Sequence, residues 1–226
     1  MEKIIELFTP LVPNIEGIFD EILGLDAFDS IAIREAGGVD KAFFAEKLRA
    51  RWNRKIYLTI SCSDRNRTAI RSELLTAAAL GFSHVLLTDG PHPITTDFPS
   101  AKAVYDLDAL SVLHMLKHDS AAFMGAAPPV HEFTRWKAGF FIGGATKPDM
   151  MRAERSLAMG ADFLVARTRK AAELLRPITT RPVILSICRP PASDISGALE
   201  EARAAGADGI YMANESTGRN EWSRTS

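Results

Sequence analysis

Cysteine is scarce in this chain. Cys62 and Cys188 are the two present, they lie far apart, and they form no CxxC pair. That argues against a disulfide framework or a cysteine-built metal site, and it fits two reduced thiols in a cytoplasmic protein. An excess of charge of one sign is also missing: 27 Lys and Arg stand against 28 Asp and Glu, a formal net charge of -1. Such a balance gives no electrostatic reason to expect nucleic acid or an anionic membrane as a partner. No apolar run reaches the roughly 18 to 20 residues that would span a bilayer. The opening Met1-Glu2-Lys3-Ile4-Ile5-Glu6 reads as the start of a strand, so no secretory signal is expected. The five histidines show no metal spacing. His114 and His118 stand at i and i+4, but no Glu or Cys lies at a helpful offset, and they read as a solvated helix face. There is no G-x-G-x-x-G phosphate turn, no low-complexity segment and no linker dividing the chain.

What is present is an ordinary globular balance, 46% apolar and 24% charged, laid out as alternating strand-like and helix-like runs. Strands are expected over Ile4–Phe8, Ser30–Ile33, Lys55–Ile60, His84–Thr88, Phe140–Ala145, Asp162–Ala166, Pro182–Ile187 and Gly209–Ala213. Asn14, Asp40 and Asp64 are suited to cap the helices after the first three strands, and Gly81 suits a helix C-terminus. The longest irregular stretch runs from Asp89 to about Tyr105, and a helix near Leu107 to Lys117 follows it. Met159-Gly160-Ala161-Asp162 and Ala205-Gly206-Ala207-Asp208 repeat one device, a glycine stop and then an aspartate opening the next strand. Parallel neighbours need crossover helices, and eight such units suit a closed (β/α)8, or TIM, barrel. A typical one takes about 250 residues, so a barrel over residues 1–213 is a minimal one. The tail, 214–226, is nearly all polar and has no apolar face for a regular eighth helix. Apolar strand surface near the last and first strands would then need cover, which predicts a homo-oligomer or a partner subunit.

In such a barrel the chemistry sits at the C-terminal ends of the strands. Glu6 lies inside the first, apolar strand, and a carboxylate there is either paired or held partly protonated. Two readings stay open: a general acid near neutral pH, or a residue salt-bridged to a barrel arginine that fixes strand register. Arg65 and Arg67 sit at a helix start, where the dipole opposes them. They either hold a phosphate or carboxylate or belong to a solvated charge run with acidic partners. Asp89 follows the fourth strand, as a ligand-binding group or as part of an Asp-Gly turn. Arg167 follows the sixth; it faces a ligand or pairs with Glu154 or Glu173. Trp52, Trp136, Phe140 and Phe141 are expected in the core.

Several of these segments are similar to the methylenetetrahydrofolate reductase family. Ile5-Glu6-Leu7-Phe8-Thr9-Pro10 resembles its first strand, and Ser61-Cys62-Ser63-Asp64-Arg65-Asn66-Arg67 resembles its T-C-x-D-R-N-R segment. Val85 to Gly90, Ala103 to Asp108, Phe141 to Pro148 and Gly160 to Leu164 continue the likeness in the same order, to about Pro182. The resemblance implies a flavoprotein oxidoreductase of one-carbon metabolism. NAD(P)H would reduce FAD, and the reduced flavin would pass hydride to a methylene-folate, giving a methyl-folate. Glu6 would be the acid that opens the pterin-side ring. Thr59, Asp89, Ala145, Lys147 and Arg155 would bind the flavin, and Asp89 and Arg167 the folate or a related pterin. Arg167 stands where the family has a glutamine, which implies a more anionic ligand or a different pterin. The alternatives are a flavin-free pterin-dependent one-carbon enzyme and a non-catalytic barrel subunit of a complex.

Overall fold

Eight parallel strands close on themselves in sequence order. They are β1 (Glu2–Phe8), β2 (Ser30–Arg34), β3 (Lys55–Ser61), β4 (His84–Thr88), β5 (Lys137–Ile142), β6 (Phe163–Ala166), β7 (Val183–Cys188) and β8 (Gly209–Ala213). The helices between them are α1 (Ile15–Glu21), α2 (Lys41–Arg51), α3 (Arg67–Ala79), α4 (Ala109–His118), α5 (Lys147–Ala158), α6 (Arg169–Leu175) and α7 (Ile195–Ala204). This computed structural model describes every residue except 12, 22–24, 36–37, 96–98, 119–135, 189–194 and 214–226. The expected TIM barrel is therefore the fold. The polar tail and the missing eighth helix lie outside the described residues. No helix among the described residues is long and apolar enough to cross a membrane.

The strands alternate as a closed barrel requires. Ile4, Ala32, Tyr57, Leu86, Phe163 and Tyr211 pack together inside it. Their neighbours, among them Ile5, Leu7, Ile31 and Ile33, face the helices in a separate, larger core. The outward residues of β1 and β8 are buried as well: Ile5, Leu7 and Ile210 are 0% exposed and Met212 1%.

The repeated Gly-Ala-Asp device has the same structural role twice. Gly160 and Gly206 take positive φ values of 95° and 70°. Asp162 then accepts from the Ala138 N–H at 2.8 Å and pairs with Lys117 at 2.7 Å. Asp208 accepts from the Val183 N–H at 2.8 Å and pairs with Arg176 at 2.8 Å. Each aspartate pins its own strand to a neighbour at the N-terminal face of the barrel.

Most strand ends lie within two residues of expectation, and two departures have a local cause. β5 begins and ends earlier, because Lys137, Ala138 and Gly139 pair with His84, Val85 and Leu86 while Gly143 and Gly144 leave the ladder. α3 is capped by Asn66, not Asp64: the Asn66 side chain accepts from the Ala69 N–H at 2.9 Å. Asp40 caps α2 as expected, accepting from the Phe43 N–H at 2.9 Å.

Candidate active site

β1 carries Glu6 into the barrel, where the residue is 3% exposed. β8 delivers the opposing group: the Tyr211 hydroxyl donates to Glu6 Oε1 at 2.6 Å. β2 ends at Arg34, whose Nη1 lies 3.6 Å from the same oxygen. The carboxylate therefore has both partners that burial demands, one phenol and one guanidinium. Burial, with the Glu6 charge added, pushes the Tyr211 phenol well above its ordinary 10, against the opposing pull of Arg34 and Arg167. Tyr211 is thus a hydrogen-bond donor throughout the neutral range. Both readings of Glu6 stay compatible with this setting, because an arginine does sit beside it.

A cavity of about 600 Å³ lies near this pair, although neither Glu6 nor Tyr211 lines it. Its wall includes Asp89, Asp108, Phe141, Arg152, Arg155 and Arg167. Phe141 links cavity and pair, since its ring meets that of Tyr211 edge-on at 5.3 Å. The Arg167 guanidinium stacks over Phe141 at 5.3 Å, as Arg34 stacks over Phe8 at 5.7 Å. Neither Glu154 nor Glu173 holds Arg167; Glu173 pairs with Arg169 instead. Asp89 is anchored from two sides. Its Oδ1 accepts from the Ala109 N–H at 2.9 Å, and its Oδ2 meets Arg152 at 2.6 Å. The turn that follows it needs Gly90, with φ +81° and the Ser61 hydroxyl where a Cβ would lie.

Of the five residues assigned to a flavin, two, Asp89 and Arg155, line the cavity. Thr59 is buried inside the barrel on β3, and its carbonyl accepts from Lys41 Nζ at 2.6 Å. Ala145 packs against the outer core, and Lys147 is the exposed first residue of α5. Cys62 is buried, and burial pushes its thiol up to about 12, so it is unreactive. Among the described residues no group of three His, Cys, Asp or Glu side chains is placed to hold a metal ion.

The D-R-N-R segment has a structural use, in which Arg65 and Asn66 are fully engaged. Arg65 meets Glu35 at 2.5 Å and Glu73 at 2.7 Å. Asn66 caps α3, and Arg67 meets Asp106 at 3.6 Å. Glu73 in turn holds Lys41, 2.5 Å away and 1% exposed. This four-residue network ties the end of β2 to α2, β3 and α3. Sequence reasoning missed Arg34, Tyr211 and this network. The strand-end rule alone marks Arg34, which closes β2.

No family model matches the chain, and no curated protein matches it. Solved structures do. A mutant tryptophan synthase alpha-subunit from Pyrococcus furiosus superposes with a TM-score of 0.60 at 15% identity, over 93% of this chain and 86% of that one. A 2,3-dimethylmalate lyase of the PEP mutase/isocitrate lyase superfamily gives 0.59 at 12% identity, over 94% and 75%. An oxaloacetate acetylhydrolase gives 0.60 at 12% identity, over 94% and 74%. Identity this low shows the shared fold alone. These findings correct the expected membership in the methylenetetrahydrofolate reductase family, and with it the flavin-dependent oxidoreductase acting on folate in one-carbon metabolism. The alternatives, a flavin-free pterin enzyme and a non-catalytic subunit, gain no support from them either. The physical reason the motif misled is the one just given: Arg65 is consumed by Glu35 and Glu73, and Asn66 by the helix cap.

Proposed function

We propose that this barrel is an enzyme of lyase type that cleaves a carbon–carbon bond beside a carbonyl or carboxyl group by acid–base chemistry. The observation that carries the reading is the buried Tyr211–Glu6 hydrogen bond, with Arg34 beside it and Phe141 joining it to the cavity that Arg167 lines. Enzymes of that kind are among the barrels this chain resembles, the 2,3-dimethylmalate lyase being one.

Glu6 takes the proton of a hydroxyl placed β to the substrate's carbonyl or carboxyl carbon. The carbon–carbon bond breaks, and the hydroxyl carbon leaves as a new carbonyl. The bond's electron pair moves into the remaining carbonyl or carboxyl group as an enolate. Glu6, now protonated, returns the proton to the enolate carbon. Atoms and electrons balance with no external oxidant or reductant. Tyr211 holds the carboxylate in place by its hydrogen bond, and the two arginines offset the developing enolate charge. An imine route would need an uncommitted lysine amine near the strand ends, and the buried one at this face, Lys41, is engaged by Glu73 and the Thr59 carbonyl.

The test is cleavage of small β-hydroxy acids and β-hydroxy ketones, 2,3-dimethylmalate among them, in deuterium oxide. The expected result is a product labelled at the carbon next to its carbonyl or carboxyl group, with turnover falling by about 10²-fold or more in Glu6→Gln. No labelled product from any of these compounds, or equal turnover in the variant, overturns the reading.

A further inference from the structure

The cavity wall holds three arginines and three aspartates, and their charges are not equally committed. Arg152 is taken by Asp89 at 2.6 Å, with Asp108 at 4.0 Å. Asp108 also accepts from the Ser111 N–H at 2.8 Å. Asp149 is turned back on the start of its own helix, accepting from the Thr146 N–H at 3.0 Å and from the Thr146 hydroxyl at 2.5 Å. All three aspartates are thus engaged with the protein. Arg155 and Arg167 are different. Both line the cavity, and among the described residues neither is within ion-pair distance of a carboxylate. Arg167 is also held in place by the Phe141 ring, so its guanidinium is oriented rather than free to wander.

Two solvent-facing guanidiniums in one concave site, with no carboxylate of the described residues within ion-pair distance, suit a negatively charged ligand. Planar guanidiniums pair with carboxylate and phosphate oxygens two at a time. We propose that Arg155 and Arg167 form an anion subsite, and that the substrate reaching the Tyr211–Glu6 pair carries a carboxylate or phosphate group held there. The inference rests on reading the barrel mouth as the reaction site. The subsite itself is built by β6 and α5, whereas the proton-transfer pair is built by β1 and β8.

The experiment is calorimetric titration of the full chain, at low salt, with malonate and separately with inorganic phosphate. The expected result is saturable binding of at least one anion, weakened at least about tenfold in Arg155→Gln and in Arg167→Gln. Arg203→Gln, which removes a remote exposed charge on α7, is expected to bind as the parent does. Binding of phosphate alone assigns the subsite to a phosphate ester, and binding of malonate alone to a carboxylic acid. Binding of neither, or equal binding in the two subsite variants with circular dichroism unchanged, overturns the proposal. Because binding is read without turnover, anion binding in a protein that cleaves none of the β-hydroxy compounds would sink the lyase reading and leave the subsite standing. Cleavage without anion binding would do the reverse.

Discussion

Glu6 and Tyr211 lie 205 residues apart, yet the Tyr211 hydroxyl donates to Glu6 Oε1 at 2.6 Å inside the barrel. β1 and β8 are adjacent in the closed sheet, which is what brings the pair together. Removing the phenol leaves a buried carboxylate short of a donor, at a cost of about 1–3 kcal/mol. Tyr211→Phe is therefore expected to lower stability by that amount in urea denaturation and to slow cleavage by roughly 10-fold or more. A variant as stable and as active as the parent would show that the hydrogen bond does not matter to either.

The Lys41–Glu73 contact is the most deeply buried ion pair of the catalytic face, with side chains 1% and 4% exposed. Arg65 completes the charge balance around Glu73 at 2.7 Å. Glu73→Gln removes the nearest counter-charge of the buried Lys41 ammonium, leaving it the Thr59 carbonyl and Glu35 at 4.0 Å. The expected loss is about 3–5 kcal/mol, the cost of breaking one side of a buried pair. Thermal unfolding measures it, at about 2–4 °C per kcal/mol for a chain of this size. Replacing both residues together, Lys41→Met with Glu73→Leu, should cost less than the single change. If the double variant is worse, the pair is not the reason for the loss.

The barrel itself was readable from the sequence because each strand has its own local signal. β4 and β8 were legible to the residue, since short apolar runs are bracketed there by turns or by the Gly-Ala-Asp device. β5 was displaced because glycine looks the same inside a strand, at Gly139, as outside one, at Gly143. The site was less legible. Asp89 and Arg167 do share a cavity wall, which strand-end position alone indicates. Whether Arg65 faces a ligand or a protein carboxylate depends on Glu35, 30 residues earlier, and on Glu73, 8 later. Nothing local decides that. The same holds for Tyr211, whose partner is at the other end of the barrel sequence.

Asp162 gives a pH dependence with a definite sign. Burial alone would raise its carboxyl, but the hydrogen bond and charge of Lys117, the Ala138 N–H and the charge of Lys137 outweigh it, and the pKa falls below its ordinary 3.8. The folded state therefore holds the charged form more strongly than the unfolded state does. That contribution is fully present above the ordinary carboxylate range and is lost as pH falls through the depressed value. Asp162→Asn is expected to cost about 1–3 kcal/mol near neutral pH. It should cost much less once the parent carboxylate is protonated, so the two stability curves converge toward acid. Curves that stay parallel from neutral to acid would contradict the assignment.

Gly139 tests how tightly the barrel interior is filled. It lies on β5 beside Phe163 of β6 and Leu86 of β4. A Cβ at this position would lie 2.3 Å from Phe163 Cζ and 2.6 Å from Leu86 Cδ2. Neither side chain can withdraw freely, because Phe163 also packs edge-on against Tyr57 at 5.4 Å and Leu86 is 0% exposed. Gly139→Ala is thus an overpacking change, and its expected cost is about 1–3 kcal/mol. If the Phe163 ring is the obstacle, Phe163→Leu should relieve the strain. The double variant would then be more stable than the sum of the two single losses predicts, by roughly 1 kcal/mol. Denaturant unfolding of the four proteins in that cycle reads the coupling directly. Strict additivity, or a Gly139→Ala variant as stable as the parent, would mean that the ring moves aside and that the interior has room to spare.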